Sequence, residues 1–357
     1  MELYLAAIQP YFLPGALSFI ATFILCVLSL RLFPKWGLLD KPQKYGLKRA
    51  PIPYSGGLIM FVVFVAGLFL FMDFDKHLTG VLIAVIMIVG VSFIDDRKGL
   101  SPLIRLGVQV LAGLTLILSG IGITSVTNPF GGVFFLDGWE VPITFNDQIY
   151  HLTLLADVFT ILWVVALMNV VNWLDGLPGL VSGVSLIGSV VIFMLSIRPD
   201  FHYIDQTDVS MLAIMLGGIC LAFWLFDFSP PKILMGDTGT MFLGFMLAVL
   251  SIFSGGKIAT ALLIMGFPIL DAAWVILRRL WEKKSPFKGD LRHFHHRLLG
   301  VGFTERQAIC FIYVLSAVFG GVALFSGSKQ KLIALGVMFI LMTILAILVV
   351  SKGRKKA

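Results

Sequence analysis

The chain is short of charge. Only 13% of its 357 residues are Asp, Glu, Lys or Arg, while 58% are hydrophobic and the mean hydropathy is +0.97. Soluble domains carry roughly 25% charged residues, so this scarcity excludes an ordinary water-soluble fold. Cysteine is almost absent: Cys26, Cys220 and Cys310 each stand alone in apolar sequence. That excludes a disulfide scaffold and leaves each thiol to act as a small hydrophobe. Long polar stretches are missing too. The largest insertions reach only about 30 residues, too few for a separate soluble domain. No internal repeat of convincing length is present, which weakens a transporter built from repeated halves.

What the chain has is apolar runs. Stretches long enough to cross about 30 Å of hydrocarbon as helices lie near residues 15 to 33, 56 to 72, 78 to 94, 103 to 120, 154 to 171, 177 to 197, 209 to 226, 238 to 254, 257 to 277, 307 to 326 and 331 to 350. About eleven spans predict an all-α, polytopic integral membrane protein, with residues 1–357 forming one membrane domain.

Lys and Arg set the orientation. The loop after the first span carries Arg31, Lys35, Lys41, Lys44, Lys48 and Arg49. Placing it in the cytoplasm puts about 22 of the 27 Lys and Arg inside and leaves Lys76, Arg198, Lys257, Lys329 and Lys331 outside. The N-terminus is then outside and the C-terminus cytoplasmic. Residues 121 to 153, the longest outside connection, contain no Lys or Arg. The net charge of +7 is thus mostly a topology signal, and no nucleic-acid partner is needed to explain it. The first apolar segment has no basic n-region and no small-residue cleavage site, which predicts a retained span.

On this topology Asp95 and Asp96 close the third span, Asp175 lies between spans five and six, and Asp237 stands just before span eight, all facing the cytoplasm. Asn169 and Asn172 in "NVVNWLDGLPGL", Lys232, and the loop "RRLWEKKSPFKGDLRHFHHRLLGVGFTERQ" fall on the same side. An acidic pair followed by Arg97 and Lys98 is also what a solvated helix end with local ion pairs looks like. Several acids together at ends biased toward cations point instead to function. In "MGDTGT" an acid sits between glycines at a helix start, where free amides favour anions. Asp237 is a plain helix cap on one reading. On the other it binds a cation that bridges it to phosphate, and magnesium suits that task because it takes oxygen ligands and links carboxylates to diphosphates.

"HFHHRLL" supplies His293, His295, His296 and Arg297 within five positions. A zinc site and a basic membrane-facing loop are the alternatives to anion recognition, for which Arg297 has a forked donor set. Adjacent His295 and His296 point apart on most backbones and no Cys lies nearby, which disfavours zinc. Asp271, inside a span, is costly unless paired; a structural hydrogen-bonding role is expected.

In order along the chain, "RAPIPYSGG", "FIDDRKGLSP", "NVVNWLDGLPGL", "LMGDTGTMFLG" and "SPFKGDLRHFHHRLL" resemble the motifs of the polyprenyl-phosphate N-acetylhexosamine-1-phosphate transferases, over about residues 35 to 307. The "SPF…HFHHRLL" form is closer to the branch that uses UDP-N-acetylglucosamine than to the phospho-muramoyl-pentapeptide translocase. The resemblance implies transfer of N-acetylhexosamine-1-phosphate from a UDP-sugar to undecaprenyl phosphate with release of UMP. That would be the initiating membrane step of cell-envelope polysaccharide or teichoic acid synthesis, with Mg2+, or Mn2+, as cofactor and a homodimer as candidate assembly. It assigns Asp95, Asp96 and Asp237 to catalysis, Asp237 and Asp96 to the metal, and Lys48, Asn169, Asn172 and Asp175 to the nucleotide. His293, His295, His296 and Arg297 go to the sugar and diphosphate, and Arg97 and Lys98 to the carrier phosphate. The chain departs from the pattern at Pro178, where relatives usually have a second acid, and at Lys48, where many have His. A secondary transporter with an ion site at the cytoplasmic face and an inactive envelope scaffold are the competing classes.

Overall fold

A computed structural model describes residues 2–45, 49–128, 132–145, 148–198, 205–253, 258–283 and 293–354. The sequence enters α1 (Glu2–Lys35), then α2 (Gly57–Phe71), α3 (Lys76–Lys98) and α4 (Pro102–Leu118). Two β-hairpins and α5 (Leu154–Leu174) follow, then α6 (Leu180–Ser196), α7 (Thr207–Asp227) and α8 (Gly236–Phe253). The chain ends with α9 (Ile258–Ile264), α10 (Gly266–Trp281), the short α11 (Phe294–Gly300), α12 (Glu305–Phe325) and α13 (Ser328–Arg354). The expected all-α architecture holds, and within the described residues the apolar stretches of the sequence lie mainly on helix.

Among the described residues six helices are long and apolar enough to cross a membrane, or up to seven if a bent pair counts as one span; α2, α4 and α6 are shorter apolar helices. The bent pair is α9 and α10. The run expected as one span over 257 to 277 breaks at Met265 and turns by 81°. Pro268 has no N–H to donate back to Ile264, and its ring crowds that carbonyl, so the helix cannot run straight through.

α8 occupies the centre. Every residue in it except Asp237 and Phe253 is buried, whereas α1 turns Phe12, Leu13, Ile20 and Ile24 outward. Lipid tails are as apolar as these side chains, so helices associate by close packing of small residues. The approach of α2 to α8 shows the limit: a Cβ on Gly57 would lie 2.1 Å from the Gly239 nitrogen.

Strands were not expected. The connection over 121 to 153 forms β1 (Ser125–Thr127) with β2 (Val133–Phe135), and β3 (Glu140–Phe145) with β4 (Gln148–Thr153), both pairs antiparallel. β4 runs directly into α5.

Candidate active site

Asp237 is the one residue near the start of α8 that is not buried, and the structure around it explains why. Gly236 turns the chain into α8 with φ +70°, and a Cβ there would lie 2.6 Å from Asp96 Oδ2. Only glycine suits both conditions. The first turn of α8 leaves backbone N–H groups without helical partners, and Asp96, arriving from α3, takes them. Its Oδ1 accepts from Asp237 N at 2.8 Å, and its Oδ2 accepts from Thr238 Oγ1 at 2.5 Å and Thr238 N at 3.3 Å. Ser55 Oγ (3.0 Å) and Tyr54 OH (3.3 Å) donate to the same carboxylate. Five donors fill roughly the four lone-pair sites a carboxylate offers. The structure gives Asp96 a task beside the expected one of metal ligand: it caps α8, where a negative charge is favoured.

The "RAPIPYSGG" segment supports this corner. Leu234 N donates to Pro53 O at 2.9 Å, Gly56 N to Leu234 O at 2.9 Å and Gly57 N to Met235 O at 3.0 Å, so the two Gly-rich motifs pair along their backbones. Upstream, Arg49 forks onto Asp40 at 2.6 and 3.3 Å. Lys48 lies outside the described residues.

Asp237 keeps 33% of its side-chain surface open. Its Oδ1 accepts from Asn172 Nδ2 at 2.9 Å, and the same nitrogen lies 2.8 Å from Thr240 Oγ1. Arg105, from α4, places Nη1 3.3 Å from Asp237 Oδ2 and 3.3 Å from Asp95 Oδ2. Asp95 is nearly closed off, at 6% side-chain exposure, and its Oδ1 also accepts from Leu100 N at 2.5 Å. Asp95 and Asp237, 142 residues apart in sequence, are thus joined through one guanidinium.

Asp175 follows α5 as its C-cap and is exposed at the mouth of the site. Protein walls its other sides, and this burial, with the charges of Asp227, Asp237 and Asp96, raises its carboxyl well above the usual carboxylate range. Asp227 ends α7, 1% exposed, and accepts from Ser182 Oγ at 2.8 Å. Among the described residues the corner gathers several carboxyl groups around Arg105, with two of them, Asp175 and Asp237, still open. Among the described residues no three acidic, histidine or cysteine side chains cluster to hold a metal alone; the open oxygens of Asp237 and Asp175 fit a cation such as Mg2+ that takes one or two carboxylates and completes its shell with water and phosphate.

Asn169 sits one helical turn deeper than Asn172 and meets other partners. Its Nδ2 donates to Gln109 Oε1 and to Val165 O, each at 2.7 Å, tying α5 to α4. Asp271 answers the expectation of a structural role: Oδ2 lies 2.8 Å from His293 Nδ1 and Oδ1 accepts from Phe294 N at 2.9 Å. A carboxylate only accepts, so the proton sits on His293 Nδ1. His293, His295 and His296 form a ring series, with centroids 5.7 and 4.3 Å apart. Arg297 is half-buried on the same short helix.

His295 connects this series to the Asp175 loop. It is 1% exposed, and burial first, then His296 and His293, push its pKa down to about 3, so the ring is neutral at physiological pH. Its Nε2 has no hydrogen-bond partner among the described residues and presses on Gly176, where a Cβ would come within 1.9 Å. Gly176→Ala is expected to push His295 out of place, an overpacking of about 1–3 kcal/mol. A thermal unfolding midpoint lowered by several degrees reads that loss.

Arg97 and Lys98 do not join Asp95 and Asp96. Both are exposed and line a separate groove with Trp36, Leu38, Phe93 and Ile94. Residues two apart on a helix lie about 200° apart around its axis, so "DDRK" sends its acids inward and its bases outward. Arg105, Ser55 and Asp227 are not among the residues that the sequence singles out. For Arg105 a signal existed: a lone cation within apolar helix is costly unless paired.

The model of the family described as glycosyl transferase family 4 matches residues 78–255, from α3 to the end of α8. The decaprenyl-phosphate N-acetylglucosaminephosphotransferase of Mycobacterium tuberculosis is 30% identical over 338 residues, covering 87% of this chain and 78% of that one. The undecaprenyl-phosphate alpha-N-acetylglucosaminyl 1-phosphate transferase of Escherichia coli is 28% identical over 318 residues, covering 85% and 80%. A Bacillus subtilis relative is 27% identical over 343 residues, 94% of this chain and 90% of its own. With the family model lying across the helices that carry Asp95 and Asp237, and such relatives aligned along most of its length, the chain belongs to glycosyl transferase family 4, as a membrane-embedded member of the polyprenyl-phosphate N-acetylhexosamine-1-phosphate transferases.

Proposed function

We propose that the protein transfers N-acetylhexosamine-1-phosphate, with N-acetylglucosamine as the sugar, from a UDP-sugar to undecaprenyl phosphate at the cytoplasmic face of a bacterial cell membrane. The product would start an envelope polysaccharide or teichoic acid. One observation carries the reading: Asp95, Asp237, Asn172 and Arg105 meet at one end of an apolar bundle, beside the open Asp175. The named activities of the relatives agree with it. One substrate lives in the bilayer and the other in water, so their phosphates can meet only at such a surface.

An oxygen of the carrier phosphate attacks the sugar-linked phosphorus of the UDP-sugar. The bond from that phosphorus to the bridging oxygen breaks, and UMP leaves with the electron pair. A phosphate monoester is already largely ionised at neutral pH, so no strong base is required; positioning and charge neutralisation supply most of the rate. Asp237 and Asp175 are the residues that would hold Mg2+ or Mn2+, which when bound neutralises the diphosphate. Asn172 fixes the Asp237 carboxylate. Arg105 balances Asp95 and Asp237 and offers its donors to a phosphate oxygen of the substrate. His293, His295, His296 and Arg297 face the donor, with Asp271 holding His293.

A transporter reading would use Asp271 as a deep ion site, yet both its oxygens are engaged by His293 and Phe294. The purified protein, given UDP-N-acetylglucosamine, undecaprenyl phosphate and Mg2+, should release UMP only when both substrates are present. UDP as product, or release indifferent to the lipid, would refute the reading; the galactosamine epimer should be used more slowly.

A further inference from the structure

The groove beside the end of α3 belongs to no part of the site above. Its volume is about 380 Å³, and its lining divides by chemistry. Leu38, Phe93 and Ile94 give it apolar lining, and Arg97 and Lys98 give it positive charge. Trp36, 60% exposed, lines it too, tilted against Phe33 with ring centroids 6.2 Å apart. Ile94 is 45% exposed on a membrane-crossing helix, so the groove opens sideways to lipid. Neither Arg97 nor Lys98 ends in an ion pair with a described residue, although Asp95 and Asp96 are their immediate neighbours in sequence. Lys35, next to Trp36 in sequence and also exposed, adds a third cation to this corner.

An exposed tryptophan, an apolar lining and cations beside it match one kind of occupant at a membrane surface. We infer that this groove binds the headgroup of an anionic phospholipid, its phosphate on Arg97 and Lys98 and the upper part of an acyl chain on Phe93, Ile94 and Trp36. By the orientation proposed above the lipid comes from the inner leaflet. The charge of the rim selects against zwitterionic lipids, which bring a cation of their own. The acceptor lipid carries a phosphate too, but its phosphate must reach Asp237, and the side of α3 that bears Arg97 and Lys98 is turned away from that residue.

Native mass spectrometry of the detergent-purified full chain tests this. Titrated with phosphatidylglycerol, the wild type should hold one lipid more tightly than it holds phosphatidylcholine. In the double variant Arg97→Gln, Lys98→Gln that affinity should fall about 30-fold, from roughly 1 kcal/mol per cation. Trp36→Gln, which leaves charge unchanged, should weaken the same lipid and covers the case of a poorly folding double variant. Binding of undecaprenyl phosphate should stay at the wild-type level in all. Phosphatidylglycerol held equally well by wild type and variants would overturn the inference, as would a loss confined to undecaprenyl phosphate.

Discussion

Asp237→Asn is expected to lower turnover by at least about 10³-fold, about 4 kcal/mol in the barrier, while the protein remains folded and extractable. The amide is isosteric with the carboxylate and occupies the same place between Asn172 and Arg105. Burial around it is unchanged, since α8 is otherwise enclosed by its neighbours. What is lost is the charge of the one α8 side chain open at that end. Steady-state kinetics on matched amounts of folded protein measure the effect. Near-normal activity at saturating Mg2+ would remove Asp237 from the essential set and, with it, the reason for the Gly236 turn that presents it.

Arg105→Ala is expected to cost about 10²-fold in kcat and to lower stability as well. Removing the guanidinium leaves Asp95, only 6% exposed, without its cation, and breaking one side of a buried pair is typically worth several kcal/mol. Arg105 itself is 34% exposed, so solvent offsets part of that loss. Arg105→Lys should restore stability more than rate. A point charge can neutralise Asp95, but it does not reproduce a planar donor set reaching two carboxylates and a phosphate together. Thermal unfolding and kcat, measured on both variants, separate the two roles. If both fall and recover in step, Arg105 is only structural.

Much of this site could be read from the sequence, because polar residues at the ends of apolar helices are conspicuous. Asp95, Asp96, Asp175 and Asp237 stood out for that reason, and the glycines of "MGDTGT" and "YSGG" announced tight backbone approach. What could not be read was pairing. Nothing local says that Asp96 would cap α8, since its five donors come from residues 41 to 142 positions away. Asn169 and Asn172 are alike in the motif and differ only in the helical turn each occupies, which decides whether Gln109 or Asp237 is within reach. The break at Met265 was signalled by Gly266 and Pro268 but hidden by an unbroken apolar run. The hairpins were legible only weakly, as short β-branched and aromatic runs between turns.

These misses share a cause. Burial in a membrane protein is read easily from hydropathy, but the partner of each buried polar group is set by helix rotation, and one residue changes that by 100°. Arg105 and Asp271 show the useful rule. Each is an ionisable residue in apolar helix, and each is bound to a residue of the functional motifs: Asp95 and Asp237 for the first, His293 for the second.

The account rests on a sugar phosphate moving to lipid at the cytoplasmic face. Sealed membrane vesicles of both orientations, containing the protein and undecaprenyl phosphate, would be given Mg2+ and UDP-N-acetylglucosamine labelled at the β-phosphorus. Label should pass into the organic phase with inverted vesicles and stay in water with right-side-out ones. Label left in water in both, or transferred equally in both, would contradict the account.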